Sequence, residues 1–419
     1  MKWTAIVAAC LAIYATNLAA QEEEKSAEEY AADWEQLEAG NIPINQASPT
    51  KDLWKVMRDD LGKGREPGPI NVQRWVGNYP WVGIPTMFHL PVALTPEDLE
   101  AGQVEIAFLG AEFMGDARAR SWGPAEMRNP HRSEVYHTWG AFALDDLDTG
   151  RSWVKELNAV DYGDAASEPF SLERSIVEIR KMVREIASVK LDNGKRTIPF
   201  IIGGAHGLMY PDVAALADVY GKGEVTVIHF DAHADYSNAD FGHLVTHGNP
   251  IRRLLLEELV KPEHIIQIGL RGPTSTDLET LDWAREQGLR YHMMAEVEKR
   301  GWEKVMTDVI REAGNAAPNV FISFDIDVVD PAFIPGTSTP EPGGLYMRET
   351  LPLVRRLCAE TNVVGFELVE LRPDSDPGYT TMLNSKAIVR QCLNGLAVRK
   401  AGITEKGYLH PKMTDDGVR

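Results

Sequence analysis

The chain has 419 residues, 44% hydrophobic and 25% charged, a globular balance that excludes wholesale disorder, a collagen or a coiled coil. That length suits one large α/β domain with additions, or two domains. Asp and Glu number 62 against 43 Lys and Arg, a net charge of −19, which argues against a nucleic-acid partner.

Residues 1–20, MKWTAIVAACLAIYATNLAA, have the composition of a secretory signal peptide. Lys2 supplies a positive end, Ala5 to Ala15 is unbroken apolar sequence, and Ala19 and Ala20 precede the acidic QEEEKSAEEY. Cleavage is expected after Ala20, giving a mature protein that begins at Gln21 and is exported, to the periplasm. The apolar run is short of the roughly 20 residues that span a bilayer, and no later stretch is long enough, so no membrane association is expected after its removal. Three cysteines are too few for a disulfide framework. Loss of Cys10 with the signal leaves Cys358 and Cys392, which can pair in an oxidising compartment or remain buried thiols.

Residues 21–103 read as an acidic, Ala-rich extension followed by an arm mixing Pro, Gly, Trp and charge. Residues 104–405 read as the catalytic domain and 406–419 as a tail. Within the domain, strand and helix alternate. VEIAFLG, TIPFIIGG, VTVIHF, HIIQIGL, NVFISFD and VVGFELVEL are strands; PDVAALADVYG, IRRLLLEELV, WEKVMTDVIREAG and ETLPLVRRLCAE are helices. Continuous apolar strands between amphipathic helices predict an α/β fold with a parallel sheet covered on both faces. In such a sheet, chemistry collects beyond the carboxyl ends of the strands.

Polar residues collect at just those ends. IIGGAHG gives His206; VIHFDAHAD gives Asp231, His233 and Asp235; FISFDIDVVD gives Asp325 and Asp327. Residues i and i+2 of an extended chain face the same side, so each set can converge on one point. Four carboxylates and two imidazoles together would repel unless cations lay among them. Two divalent ions per subunit answer that need, and the N/O donor set suits Mn²⁺, Ni²⁺, Zn²⁺ or Fe²⁺ better than Ca²⁺. Asp330, before Pro331, reads as a turn residue rather than a ligand.

FDAHAD, SFDIDVVDP and PGTSTPEPGG together resemble the ureohydrolase family of arginases and agmatinases over roughly residues 80–400. THGNPIRR at 246–253, GIPT at 83–86 and IGLRG at 268–272 resemble its agmatinase branch. The resemblance implies a three-layer α/β/α fold with a mostly parallel sheet of about eight strands, assembled as trimers or hexamers. It implies cleavage of a guanidinium group by water held between two Mn²⁺ ions, or Ni²⁺ in some relatives, with release of urea. By motif, His206 and Asp235 would hold the first metal, and His233 and Asp327 the second. Asp231 and Asp325 would touch both. His247 would be the proton shuttle and Glu370 the partner of the substrate guanidinium. Histidine is the side-chain type suited to proton transfer near neutral pH, and a carboxylate pins a planar cation by charge-assisted hydrogen bonds.

The sequence departs from the family pattern in places. Ala205 and Gly207 replace the Asp and Ser of Gly-Gly-Asp-His-Ser. Ser338 replaces a common Gly, Glu367 stands where Asp is usual, and the first loop, GAEFMGDARARSWGP, lacks the usual Pro and Asp pattern. The expected substrate is a small cationic guanidino compound, with agmatine the default and guanidinobutyrate or guanidine the alternatives. Arginine is disfavoured because SNADFGHLVTH replaces the arginase pattern. The changes at 205, 207 and the mouth also leave open a non-catalytic metal- or guanidinium-binding protein on the same scaffold.

Overall fold

The computed structural model describes residues 26–42, 45, 47–51, 60–74, 83–114, 122–129, 145–239, 241–273 and 277–415. The signal segment 1–20, Gln21 and the centre of the first loop, 115–121, lie outside the described residues.

Eight strands form one sheet: β1 Ile106–Ala111, β2 Ala159–Asp164, β3 Ile198–Gly203, β4 Val225–Phe230, β5 Ile265–Ile268, β6 Arg290–His292, β7 Asn319–Asp325 and β8 Val363–Val369. Their order is β2-β1-β3-β8-β7-β4-β5-β6, and every pairing is parallel. This is the three-layer α/β/α fold expected. Alternate side chains of each strand enter opposite cores. Ala107 and Leu109 join the helices Leu172–Ser188 and Met209–Tyr220, whereas Ile106 and Phe108 join Trp302–Asn315, Met347–Glu360 and Thr380–Lys400. In the second core an aromatic row follows the strand register. Phe108 meets Phe200 at 5.4 Å and Phe200 meets Phe366 at 5.0 Å between ring centroids.

β2 and β6 are missing from the sequence reading for physical reasons. β2, AVDYGD, carries two aspartates that no apolar-run criterion accepts. Arg128 accommodates them, its Nε donating to Asp161 at 2.8 Å and its Nη1 to Asp164 at 2.7 Å. β6 is a three-residue edge strand.

Cys358 and Cys392 form a disulfide, so the choice left open by the sequence falls to pairing. The bond is fully buried and ties helix Met347–Glu360 to helix Thr380–Lys400. These helices meet closely because residue 395 is glycine: a Cβ there would lie 2.4 Å from the Arg355 carbonyl oxygen.

The extension begins with a helix, Ala27–Glu38, started by a capping box between Ser26 and Glu29. Its Trp34 and Leu37, with Ile42, are buried in the first core. The Arg180 guanidinium lies 3.9 Å from the Trp34 ring centroid, and Arg253 donates to the Tyr30 carbonyl at 2.8 Å. Among the described residues no helix is long and apolar enough to cross a membrane.

Candidate metal centre

β3, β8, β7 and β4 are the four central strands, and each ends in candidate site residues. His206 follows β3 on a short 3-10 turn that runs directly into helix Met209–Tyr220. Asp231, His233 and Asp235 follow β4. Asp325 ends β7 and Asp327 lies in the turn after it; Glu370 follows β8. Phe230 pairs with Phe324, which sets Asp231 beside Asp325.

All six predicted ligands come together. His206 Nδ1 lies 2.9 Å from Asp231 Oδ2, 3.1 Å from Asp235 Oδ2 and 3.2 Å from Asp325 Oδ2. His233 Nδ1 lies 3.3 Å from Asp231 Oδ1 and 3.0 Å from Asp327 Oδ2. Asp231 therefore offers one oxygen to each group. Asp325 closes on the His206 group with one oxygen, and its other oxygen accepts the Asp327 backbone N–H at 2.8 Å.

The protonation pattern follows from this crowding. Burial alone would depress His206 and His233, but hydrogen bonds to the surrounding aspartates outweigh it. His206 is raised well above its ordinary range and His233 to about 12. Burial, with the charges of Asp327 and Asp231, holds the Asp325 carboxyl well above the usual range. Asp231 is driven the other way, because the three imidazoles around it overcome its burial. Without cations the cluster thus holds protons on His206 and His233.

Three of the buried polar atoms, His206 Nδ1, His229 Nε2 and Asp231 Oδ2, crowd against one another at 2.9–3.0 Å with no partner outside the cluster. They converge with Asp235 on one point, and Asp231, His233 and Asp327 converge on a second. Orphaned buried imidazole nitrogen and carboxylate oxygen are donors that a divalent ion satisfies, so the residues fit a binuclear divalent-metal site of the Mn²⁺-binding type.

His229 is absent from the sequence reading, although it sits two residues before Asp231 on the same strand face. Its Nε2 is 3.0 Å from Asp231 Oδ2, and Gln267 Nε2, which also holds the Ala234 carbonyl, is 3.0 Å from its Nδ1. Ser323, Thr339 and Asp212 were also missed as supports. Ser323 Oγ is 2.7 Å from His206 Nε2, which fixes the ring with Nδ1 toward the aspartates. Thr339 donates to Asp327 Oδ2 at 3.3 Å. Behind the cluster, Asp212 and Glu367 are wholly buried beside each other, and burial raises both carboxyls. Ser323 alone had a sequence signal, the i, i+2 spacing to Asp325. Asp330 is a turn residue, as read: its carboxylate accepts the N–H groups of Ala332 and Gly343.

Glu370 is buried, has φ of +59°, and accepts the His206 backbone N–H at 2.8 Å through Oε1. Asp235, with φ of +54°, is the other candidate in the left-handed region, where non-glycine residues are uncommon and gather at functional sites. Burial, offset in part by the His206 N–H, raises the Glu370 carboxyl to about 7. His247 is half-buried on a turn tied back to the Asp235 segment: Ser237 N–H donates to the Gly248 carbonyl at 2.9 Å, and Ile251 N–H to the Asp235 carbonyl at 3.2 Å.

The departure at 207 has a steric explanation, and nothing in the structure explains the one at 205. A Cβ on Gly207 would lie 2.7 Å from the Phe113 ring and 3.0 Å from the Thr246 carbonyl. Ala205 N–H donates to the Phe113 carbonyl at 2.9 Å. Phe113, fully buried, fills the space that a serine at 207 would need.

A parallel α/β/α sheet whose central strands deliver a shared aspartate between two ligand groups defines a protein built to hold two metal ions. A model of the Arginase family matches residues 104–394, and the chain belongs to that family. It is 33% identical to the guanidinobutyrase of Pseudomonas aeruginosa over 73% of this chain and 90% of that protein. It is 32% identical to the mitochondrial agmatinase of Gallus gallus over 73% of this chain and 84% of that protein. The structure of proclavaminate amidinohydrolase from Streptomyces clavuligerus superposes with a TM-score of 0.65 at 30% identity, covering 77% of this chain and all of that one. Family and cluster together establish a ureohydrolase acting on a guanidino compound by metal-dependent hydrolysis.

No relative singles out the agmatinase branch, and the structure explains why the motifs that suggested it do not discriminate. Arg271 of IGLRG donates to the backbone carbonyls of Gly269, Asp327, Val328, Glu341 and Pro342. Thr246 of THGN donates to the Asn249 side chain, and Thr86 of GIPT to the Leu90 carbonyl. These residues build scaffold and none of their described bonds is left to choose a substrate.

Proposed function

We propose that the protein hydrolyses a guanidino acid of the guanidinobutyrate type to the corresponding amino acid and urea. The observation that carries the chemistry is the union of Glu370 with the His206 turn, which places a buried carboxylate beside the metal ligands. Two relatives, named for guanidinobutyrate and proclavaminate, support a carboxylate-bearing substrate. The two divalent ions, when bound, lower the pKa of water and supply the nucleophile near neutral pH. Asp235 orients that water, Glu370 pins the guanidinium so that its carbon faces the nucleophile, and His247 protonates the departing amine. By the motifs, His206, Asp231, Asp235 and Asp325 would hold one ion and His233 and Asp327, with Asp231 and Asp325, the other.

The experiment is a urea-release screen of guanidinobutyrate, guanidinopropionate, agmatine, guanidine and arginine on protein loaded separately with Mn²⁺ and Ni²⁺. A guanidino acid should give the highest kcat/KM. Agmatine in that position would reverse the substrate assignment while leaving the class intact. Mn²⁺ is the proposed resident metal and a trimer or hexamer the proposed assembly, to be checked by elemental analysis and light scattering.

We further propose that the protein is exported, with residues 1–20 removed. The buried disulfide supports this, since such bonds persist in oxidising compartments. Amino-terminal sequencing of protein from the native cell should begin at Gln21; an intact Met1 in the cytoplasmic fraction would refute it.

A further inference from the structure

A second cavity opens at the opposite edge of the sheet from the metal centre. It encloses about 300 Å³ beneath the first residues of β1, β3 and β8, Ile106, Ile198 and Val363. Its walls come from the turn between Leu191 and Arg196, from Tyr220 at the end of one helix and from Leu396–Lys400 at the end of another. It thus lies where both cores end, with an apolar floor of strand-start side chains.

The rim carries an uneven charge. Lys195, Arg196, Arg399 and Lys400 line it, against one carboxylate, Glu105, in a chain of net charge −19. Glu105 is already spent on Lys400, whose Nζ it meets at 2.5 Å. Arg196 donates to the Ser188 carbonyl at 2.9 Å through Nη1 alone and lies 5.8 Å from the Tyr220 ring centroid. Arg399 has one long contact, 3.4 Å to the Ala359 carbonyl. Three cations therefore retain donors around a concave apolar floor, and among the described residues that line it no second acid stands against them. Sites of this size that combine an apolar body with a few convergent polar groups are typical of small-molecule binding, and cations in such a mouth concentrate anions.

We propose that this cavity is a second ligand site, separate from the catalytic centre, for an amphiphilic anion: an apolar body seated on the strand starts, and a carboxylate or phosphate ester held by Lys195, Arg196 and Arg399. Nothing in the metal chemistry requires it, so the proposal stands or falls independently of the substrate assignment.

The test is isothermal titration of the metal-loaded protein with 4-phenylbutyrate and phenyl phosphate as probes, and with neutral 4-phenylbutanol as control. At least one anion should bind saturably and the alcohol at least tenfold more weakly; the tighter anion identifies the headgroup. Lys195→Glu and Arg399→Glu should each weaken binding tenfold or more, with metal content and urea release unchanged. Binding should persist in saturating guanidinobutyrate. No saturable binding, equal binding of the alcohol, indifference to both charge reversals, or displacement by guanidinobutyrate would each overturn the proposal. Two variants at different elements guard against the misfolding of either.

Discussion

The Glu370 carboxylate accepts the backbone N–H of His206 at 2.8 Å, and Glu370 N–H donates to the Gly204 carbonyl at the same distance. The residue proposed to grip the guanidinium is therefore also a brace for the turn that carries a metal ligand. The two roles separate by substitution. Glu370→Gln keeps an acceptor for His206 and removes the charge, so metal content should hold while KM rises about 10- to 100-fold, the worth of a charge-assisted hydrogen bond of about 1.5–3 kcal/mol. Glu370→Ala removes the brace as well and should also lower metal content, measured by elemental analysis.

The raised Glu370 carboxyl has a pH signature. A carboxyl pushed up to about 7 from 4.5 is favoured in its protonated form by the fold. Its contribution to stability is complete below about 4.5 and lost as pH rises through about 7. A bound guanidinium demands the carboxylate, so binding in this range releases a proton. Calorimetry of a guanidino ligand on metal-free protein at a pH below 7, in buffers of different ionisation heat, should show net proton release. Glu370→Gln should show none from this site.

Metal loading should likewise release protons, because the imidazoles of His206 and His233 are protonated in the cation-free cluster. Metal affinity should therefore rise with pH. Fully loaded protein should hold two ions per subunit, and Asp231→Asn or Asp325→Asn should remove both or most activity. Chelation should lower Tm, since it removes ions that bind only the folded cluster.

His247 lies on a segment anchored to Asp235 by backbone hydrogen bonds, outside both ligand groups. His247→Asn should keep its metals and lower kcat by roughly 10²–10⁴ with little change in KM. A variant that lost an ion, or kept near-normal kcat across neutral pH, would show the role to be misassigned.

The Cys358–Cys392 disulfide closes a loop across 34 residues of sequence. Replacing both by serine should cost about 3–4 kcal/mol in denaturant unfolding, by the loop-entropy relation. Reducing agent should destabilise the parent protein and leave the double variant unchanged.

The alternation of apolar strands and amphipathic helices determined the layers, and i, i+2 spacing at strand ends singled out five of the six ligand candidates, with His206 read from its place after a strand-ending glycine pair; the turns after β4 and β7 then send alternate members of each set to different ligand groups. Six of the eight strands were legible on the same ground. Tertiary structure decided what spacing cannot. It set His206 from one strand against Asp231, Asp235 and Asp325 from two others, through the order β3-β8-β7-β4. It converted AVDYGD into a strand by supplying Arg128 from elsewhere. It also chose pairing over free thiols for two cysteines on separate helices. Gln267 was invisible because a polar residue inside an apolar strand acquires meaning only from what it faces across the sheet, here His229. The same reason undid the agmatinase motifs: Arg271 and Thr246 look like signatures in one dimension, and in three they hold backbone and side-chain oxygens of the scaffold in place.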